Sequence, residues 1–162
     1  MVGKEFWRLI GIWIMKTMAI MIGIQASGKS RFCVEKLADY VRVNLDTLHT
    51  RNKENMAIED AISRQVDLVI DNTNPTADDR AKYICRARAA GYKVVGYFMQ
   101  SKLQDCIARN ELREGKAKVP RTAIANTSNK LEMPSCAEGF DELYFVSIVD
   151  DAINIDEWRD SE

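Results

Sequence analysis

Apolar, strand-like segments alternate with amphipathic, helix-like segments along most of the chain. Five apolar runs predict strands at residues 17–22, 41–44, 67–71, 93–98 and 142–148. Five amphipathic segments predict helices at residues 29–39, 52–65, 76–90, 101–114 and 121–132. Strands that alternate with helices favour βαβ units, which build a parallel sheet with helices on both faces. The pattern therefore predicts a three-layer α/β/α fold around a five-stranded parallel sheet.

The helix predicted at residues 76–90 has the clearest boundaries. Pro75 and Thr76 precede it, and Asp79 stands three residues after Thr76, as in a capping box. Gly91 follows its last turn, where a glycine commonly ends a helix. Both ends of this helix are therefore predicted from local residues alone.

A glycine-rich loop from Gly23 to Ser30 joins the first predicted strand to the first predicted helix. It reads Gly-Ile-Gln-Ala-Ser-Gly-Lys-Ser and matches G-x-x-x-x-G-K-S, the pattern of a phosphate-binding loop (P-loop). The glycines let backbone N–H groups close around a phosphate, and the helix directs its positive dipole end at the same place. Lys29 can reach the β- and γ-phosphates, and the Ser30 hydroxyl can bind Mg²⁺. A plain strand-to-helix turn is the alternative, but such a turn does not require Lys-Ser after its second glycine.

Two polar clusters follow the second and third predicted strands. In open α/β sheets, ligands bind beyond the carboxyl ends of the strands, so both clusters should face the phosphate-binding loop. Asp46 is suited to take the proton of an acceptor hydroxyl during phosphoryl transfer, although it could equally cap the next helix. Asp71 is suited to hold Mg²⁺, or else to begin an Asx turn. His49, the only histidine, could bind substrate or move a proton, and an exposed polar residue is the simpler interpretation.

A fourth polar cluster lies in residues 109–121. Arg109 and Arg113 are four residues apart and would share one face of a helix. The segment is interpreted as a small helical lid whose arginines close over a triphosphate and offset the charge that develops during transfer. A solvated helix with charge pairs to neighbouring glutamates is the alternative.

The amino-acid composition excludes few classes of function. The 162 residues are 46% hydrophobic and 29% charged, with a net charge of −1, as expected for one globular domain. A nucleic-acid substrate is not excluded, because a kinase that holds only the end of a strand needs no basic surface throughout. The four cysteines form no C-x-x-C pair, so we expect reduced thiols in a cytoplasmic protein and no zinc site.

The domain is expected to span residues 15–150. Residues 1–14 precede Met15, which looks like a natural start, and are interpreted as a tag or a mis-assigned extension. The apolar run that continues from them is short for a membrane span and leads into the first strand, so no membrane partner is expected. Residues 151–162 are interpreted as an acidic, solvated tail.

With its polar clusters in this order, the chain resembles the polynucleotide 5′-hydroxyl kinases of the P-loop kinase superfamily, from about Met18 to Val149. It is also similar to small, single-domain bacterial predicted kinases of the same branch. The stretches that carry the resemblance are Val43-Asn44-Leu45-Asp46-Thr47-Leu48, Asp71-Asn72-Thr73-Asn74-Pro75, Arg80-Ala81-Lys82-Tyr83, Arg109-Asn110 with Arg113 ahead of Val119-Pro120, and Glu138-Gly139-Phe140-Asp141-Glu142.

The resemblance implies a P-loop NTPase fold and a role for each candidate residue. Lys29, Asp46 and Arg113 would be catalytic, with Asp46 as the base that activates a 5′-hydroxyl. Ser30 and Asp71 would hold Mg²⁺, and ATP would be the phosphoryl donor. The implied ATP-binding residues are Gly23, Gln25, Ala26, Ser27, Gly28, Lys29, Ser30, Arg109 and Arg113.

One position departs from the family pattern. Members commonly carry an arginine three residues after the catalytic aspartate, where it contacts the phosphate of the acceptor nucleotide. This chain has His49 there, and Arg51 could substitute. The candidate acceptor-binding residues are therefore His49, Arg51 and Asn72.

Three functions follow from these residues. The leading hypothesis is an ATP- and Mg²⁺-dependent kinase that phosphorylates the 5′-hydroxyl end of DNA or RNA. A small-molecule kinase, acting on a sugar, nucleoside or antibiotic hydroxyl, is the first alternative, which the change at His49 favours. An ATP-hydrolysing switch without an acceptor is the second. The shape and charge of the groove that leads to Asp46 would separate the two kinases.

Overall fold

A computed structural model describes residues 14–160, so the expectation that residues 1–14 are an extension lies, apart from Ile14, outside the described part. The strands are β1 (Thr17–Ile22), β2 (Val41–Val43), β3 (Leu68–Ile70), β4 (Lys93–Met99), β5 (Glu142–Val149) and β6 (Ala152–Glu157). The α-helices are α1 (Lys29–Lys36), α2 (Leu45–Leu48), α3 (Arg51–Ser63), α4 (Ala77–Ala89), α5 (Leu103–Glu111) and α6 (Arg121–Lys130). Within residues 14–160, no helix is long and apolar enough to cross a membrane.

The strands form one sheet in the order β2-β3-β1-β4-β5-β6. Strands β1 to β5 are parallel, which confirms the predicted α/β fold. The predicted strand count was one too low, because β6 pairs antiparallel with β5. Asp150 and Asp151 make the turn with φ of +49° and +61°, which matches a tight hairpin. Residues 152–157 of the expected solvated tail thus form a paired edge strand, whose acidic side chains nevertheless stay largely in water.

Alternate residues of β1 face opposite sides of the sheet. Met18, Ile20 and Ile22 join a core with residues of α3 and α4. Ala19 and Met21 join a second core with residues of α1. All five side chains are 0% exposed. The sheet is therefore covered on both faces, which confirms the three-layer arrangement.

A smaller third core holds α5 and α6 against the phosphate-binding loop. Ala26 of the loop packs with Cys106 of α5 and Ile124 of α6. The buried side chain of Asn110 ties the connector between these helices back onto α5. Its Nδ2 donates to the Val119 carbonyl (2.7 Å), and its Oδ1 accepts from the Val119 N–H (3.0 Å). The helical segment predicted as a lid is therefore anchored beside the loop.

Helix α5 is shorter than predicted. It ends at Glu111 rather than Glu114, and the chain then turns through a 3₁₀ segment at Gly115–Ala117. Arg113 consequently lies beyond the helix, and the expectation that it shares a helix face with Arg109 is wrong. The cause is the pair of hydrogen bonds between Asn110 and Val119, which requires the chain to reverse direction after α5.

Candidate functional site

The phosphate-binding loop joins β1 to α1, the strand–loop–helix context that its sequence predicts. Gly28 caps α1 in a left-handed conformation (φ +99°) and without a side-chain hydrogen bond. A Cβ at this position would lie 2.6 Å from Cδ1 of Ile148, so only glycine fits. Gly23 is held by the neighbouring strand end, because its N–H donates to the Thr73 carbonyl at 3.0 Å. The uncapped N-terminus of α1 is suited to bind an anion.

The polar groups of the loop fit a nucleoside triphosphate. The Nζ atom of Lys29 donates to the carbonyl oxygens of Gly23 (3.0 Å) and Ile24 (2.7 Å), which holds the ammonium across the loop. The hydroxyl of Ser27 is buried and has no hydrogen-bond partner in the described part of the chain. A buried hydroxyl without a partner is costly, and a phosphate oxygen would accept its hydrogen bond.

The pKa of Lys29 reflects its burial and the charged groups that act on the phosphate-binding loop. Burial lowers the pKa of its ammonium from 10.5 to about 8, and Asp71 opposes this shift most strongly. Arg113 lowers the pKa further, whereas Asp46 raises it. Asp71, Arg113 and Asp46 therefore all contribute to the electrostatic potential at Lys29. The contacts place the Lys29 ammonium across the loop and Ser30 beside Asp71, which joins candidates from two separate parts of the chain.

Nucleotide binding is expected to be coupled to proton uptake near pH 8. A bound phosphate stabilises the charged ammonium, so a Lys29 that has lost its proton regains one when nucleotide binds. With a pKa of about 8 in the free protein, uptake should be about half a proton per ADP at pH 8 and close to none at pH 7. The affinity for ADP should fall as the pH rises through 8. Calorimetric titration in buffers of different ionisation enthalpy measures the uptake, and a value that stays constant from pH 7 to 9 would contradict this role.

Ser30 and Asp71 meet beside the loop, as expected for two groups that hold Mg²⁺. The Oγ of Ser30 lies 3.5 Å from Oδ2 of Asp71, whose side chain is only 1% exposed. Arg42 of β2 contacts both: its Nε donates to Asp71 Oδ2 (2.7 Å) and its Nη2 to Ser30 Oγ (2.9 Å). Nδ2 of Asn44 also donates to Asp71 Oδ2. The carboxylate of Asp71 therefore accepts hydrogen bonds from side chains and does not form an Asx turn.

A hydroxyl and one carboxylate fit Mg²⁺ when phosphate oxygens and waters supply its other ligands. Residues 14–160 contain no cluster of three or more His, Cys, Asp or Glu side chains that could hold a metal by themselves. The pair is therefore suited to an ion that arrives with a phosphate ligand.

Asp46 lies in the first turn of α2, a short helix that the sequence did not predict. Asn44 caps this helix, because its Oδ1 accepts from the Thr47 N–H at 3.1 Å. The interpretation of Asp46 as a helix cap is therefore wrong. Its side chain is exposed and faces a groove, which makes its carboxylate accessible to a bound substrate.

A buried polar network fixes the backbone at the start of α2. Oδ1 of Asn72 accepts from the Leu45 N–H (2.9 Å), and its Nδ2 donates to Glu54 (2.9 Å). Glu54 is 2% exposed and also accepts from the Tyr83 hydroxyl and from Arg51. Burial raises the pKa of Glu54, but these hydrogen bonds outweigh it and lower the pKa below its usual value. Asn72, a candidate for acceptor binding, thus uses both ends of its amide within the protein.

A partly open groove of about 410 Å³ lies beside the phosphate-binding loop. Asp46 and Gln25 of the loop are part of its wall. The remaining charged groups of its lining are three basic side chains and one acidic side chain, Arg51, Lys82, Lys130 and Asp79. The groove is therefore modestly basic around the Asp46 carboxylate, with a volume typical of small-ligand sites.

His49 and Arg51 are placed differently relative to this groove. His49 ends α2 with φ of +68°, is exposed, and lies outside the groove lining. Arg51 lines the groove, and its Nη1 donates to Glu54 (2.8 Å) and to the Tyr83 hydroxyl (3.0 Å). Because 57% of its side chain remains exposed, Arg51 presents an oriented guanidinium to the groove.

The two arginines of the lid segment make different contacts. Nη1 of Arg109 donates to the Ala26 carbonyl at 3.1 Å, which places its guanidinium against the phosphate-binding loop. Nη1 of Arg113 donates to the Ala117 carbonyl at 3.2 Å. Both residues are partly buried, but the Arg113 contact lies at the surface, whereas the Arg109 contact with the loop is partly buried.

The Arg80 and Glu138 stretches, which carry part of the resemblance, meet in a structural clasp. Arg80 is fully buried and forms a bidentate ion pair with Glu138, with N–O distances of 2.7 and 3.1 Å. Its Nη1 also donates to the carbonyl oxygens of Asn74 (3.1 Å), Pro75 (3.1 Å) and Glu132 (3.2 Å). The clasp joins the segment after β3 to the loop before β5, and so supports one side of the groove.

Sequence reasoning missed Arg42 and Glu54. The sequence did contain one indication that Arg42 has a functional role, because it is a charged residue between two valines of a short predicted strand. Glu54 gave no such signal, because nothing local distinguishes it from the exposed carboxylates of α3. Its importance comes from Asn72 and Tyr83, which are distant in the chain.

A parallel sheet with a Gly-Lys-Ser loop before α1 and an aspartate at the end of β3 is the arrangement of a P-loop kinase fold. The chain belongs to the AAA domain family, whose model matches residues 18–134.

Two curated proteins are similar to this chain over part of their own length. A bifunctional polynucleotide phosphatase/kinase from Schizosaccharomyces pombe is 29% identical over 126 residues, which are 75% of this chain and 31% of that protein. A putative bifunctional polynucleotide phosphatase/kinase from Acanthamoeba polyphaga mimivirus is 32% identical over 157 residues, 90% of this chain and 37% of that protein. The chain thus spans about a third of the length of these curated relatives. The resemblance to the polynucleotide kinase branch is confirmed.

A solved structure supports the fold. Kti12 of Chaetomium thermophilum, in complex with ADP-AlF3, superposes with a TM-score of 0.60 at 16% identity, covering 80% of this chain and 88% of that chain. At this identity the likeness concerns the fold alone.

Proposed function

We propose that this protein is an ATP- and Mg²⁺-dependent kinase that transfers the γ-phosphoryl group to the 5′-hydroxyl end of a polynucleotide. The observation that carries the proposal is the groove, which combines the Asp46 carboxylate with Arg51 and two lysines. A carboxylate flanked by basic side chains suits an acceptor hydroxyl that is flanked by phosphates. The two curated relatives, named as polynucleotide phosphatase/kinases, support the same acceptor.

In the proposed reaction, the acceptor oxygen attacks the γ-phosphorus while the bond from that phosphorus to the leaving ADP oxygen breaks. Asp46 accepts the proton of the hydroxyl as the new O–P bond forms. Lys29 and Arg113 stabilise the negative charge that spreads over the transferred phosphoryl oxygens. The proton therefore ends on Asp46 and the electron pair on ADP.

The remaining candidates bind and orient the donor. The N-terminus of α1 and the loop hold the phosphates, and Arg109 keeps the lid segment against the loop through Ala26. Ser30 and Asp71 would hold Mg²⁺, which neutralises the β- and γ-phosphates when bound.

Arg51 has the proposed role of the arginine that the family carries at the position of His49. Glu54 and Tyr83 hold one nitrogen of its guanidinium, which lowers the entropy lost when the other nitrogens bind a phosphate. An arginine fork matches the geometry of phosphate oxygens. An acceptor nucleotide with a phosphate on its 3′ side would thus be preferred over a plain alcohol.

The test is transfer of labelled γ-phosphate from Mg-ATP to 5′-hydroxyl oligonucleotides, compared with sugars and nucleosides. We expect the highest kcat/KM for an oligonucleotide. Arg51→Gln should raise KM for the oligonucleotide by about tenfold, as for a lost charge-assisted hydrogen bond, with little change in kcat. Arg64→Gln is the matched control, because Arg64 is exposed at the opposite, C-terminal end of the same helix and, among residues 14–160, pairs with Asp60 alone.

The same experiment separates the alternatives. Faster turnover with a sugar or nucleoside than with any oligonucleotide would replace the proposal with a small-molecule kinase, for which the absence of an arginine at His49 is the supporting observation. ATP hydrolysis that no acceptor accelerates would indicate a switch protein.

A further inference from the structure

Arg42 binds both side chains that are candidates to hold a divalent cation. Its guanidinium lies 2.7 Å from Asp71 Oδ2 through Nε and 2.9 Å from Ser30 Oγ through Nη2. These two oxygens are 3.5 Å apart. Neighbouring oxygens around octahedral Mg²⁺, with Mg–O bonds of about 2.1 Å, lie about 3 Å apart. A guanidinium that binds both oxygens therefore competes with a cation that uses the same two oxygens as ligands.

The buried negative charge of Asp71 explains why Arg42 lies beside it. Asp71 is 1% exposed on its side chain, and a buried carboxylate without a positive partner is strongly disfavoured. Arg42 supplies that charge from β2, at the edge of the sheet. Its own side chain is 40% exposed, so it can turn toward solvent without disturbing the core.

We propose that Arg42 is an internal counter-ion that competes with the divalent cation for Ser30 and Asp71, so that the metal enters with nucleotide rather than alone. Phosphate oxygens add ligands to the ion, and these compensate for the ion pair that Arg42 loses. A free divalent ion lacks those ligands and binds weakly. The inference rests on the proposed function for the nucleotide, whereas the competition itself is a property of the protein without nucleotide.

The test is Mn²⁺ binding without nucleotide, followed by electron paramagnetic resonance. Arg42→Gln should lower the Kd for Mn²⁺ by about tenfold, since a charge-assisted competitor is removed. Arg42→Lys should fall between this variant and the wild type, because lysine keeps the charge but not the rigid fork. Adding Asp71→Asn to Arg42→Gln should abolish the gain in affinity for Mn²⁺. Arg64→Gln removes the same charge from the surface and should leave the Kd unchanged.

Thermal unfolding gives a second readout. Arg42→Gln removes the ion pair of the buried Asp71 carboxylate, so its Tm should be lower than that of the wild type in EDTA. Mg²⁺ alone should then raise this Tm by more than it raises that of the wild type. If Arg42→Gln does not fold, the Mn²⁺ titration and the thermal unfolding are both measured on Arg42→Lys.

An Mn²⁺ Kd that is unchanged or weaker in both Arg42 variants would overturn the competition. Failure of the wild-type protein to phosphorylate 5′-hydroxyl ends would instead reject the proposed function, and the metal titration would stand independently of it.

Discussion

Replacing Asp46 with asparagine is expected to lower kcat for phosphoryl transfer by about 10²–10⁴-fold. Asparagine has the same shape but cannot accept the proton of the acceptor hydroxyl. Asp46 is exposed and does not cap α2, so the fold and the Kd for nucleotide should stay close to those of the wild type. Single-turnover transfer and a separate nucleotide titration measure the two effects.

The control for this variant is Asp60→Asn. Asp60 is a carboxylate of α3 with 62% of its side chain exposed, and in the described part of the chain its carboxylate pairs with Arg64 alone. Its replacement should leave kcat within about twofold, as expected for an exposed ion pair away from the chemistry. If Asp46→Asn keeps more than about a tenth of the wild-type kcat, Asp46 is not the general base.

Replacing Arg80 with alanine is expected to lower the free energy of unfolding by about 3–5 kcal/mol, the range for breaking a buried ion pair. Arg80 is 0% exposed, and its loss would leave Glu138 without its partner. Three backbone carbonyls would also lose a hydrogen bond. Urea denaturation of the purified protein measures the change.

A matched arginine on the same helix serves as the control. Arg86 of α4 retains 27% exposure of its side chain, pairs with Glu59 and donates to the side chain and the carbonyl of Asn55. Arg86→Ala should cost about 1–2 kcal/mol, less than Arg80→Ala, because its partners are exposed and can bind water when the arginine is removed. A similar loss of stability in both variants would mean that the Arg80 clasp does not support the fold in the way its contacts indicate.

Local pattern predicted most of the elements because their signals lie within a few residues. The capping box of Thr76 and Asp79 forms as predicted, with both hydrogen bonds present. The two faces of β1 follow from the alternation of side chains along a strand. There are two exceptions. The start of α2 is held by Asn72, 27 positions away. Strand β6 pairs with its neighbour β5 across a two-residue turn at Asp150 and Asp151, which sequence reasoning missed.

The candidate site was predicted in part for the same reason. The order of strands in a parallel sheet predicts that Lys29, Asp46 and Asp71 lie at one edge. Asp71 contacts Ser30 of the loop, and Asp46 lines the groove together with Gln25 of the loop. The positions of Arg42 and Arg113 were not predictable in this way. Arg42 depends on a side chain that crosses from β2 to the loop, and Arg113 on a helix that ends early.

By itself, the sequence determined the α/β order of elements, the phosphate-binding loop and the approximate position of each polar cluster, because spacing and residue type act over a few residues. Only the tertiary structure decided which polar groups meet. It paired Arg42 with Asp71, 29 positions apart, and Arg80 with Glu138, 58 positions apart. A buried charge takes its partner from whatever the fold brings within hydrogen-bond distance, and no local pattern records that choice.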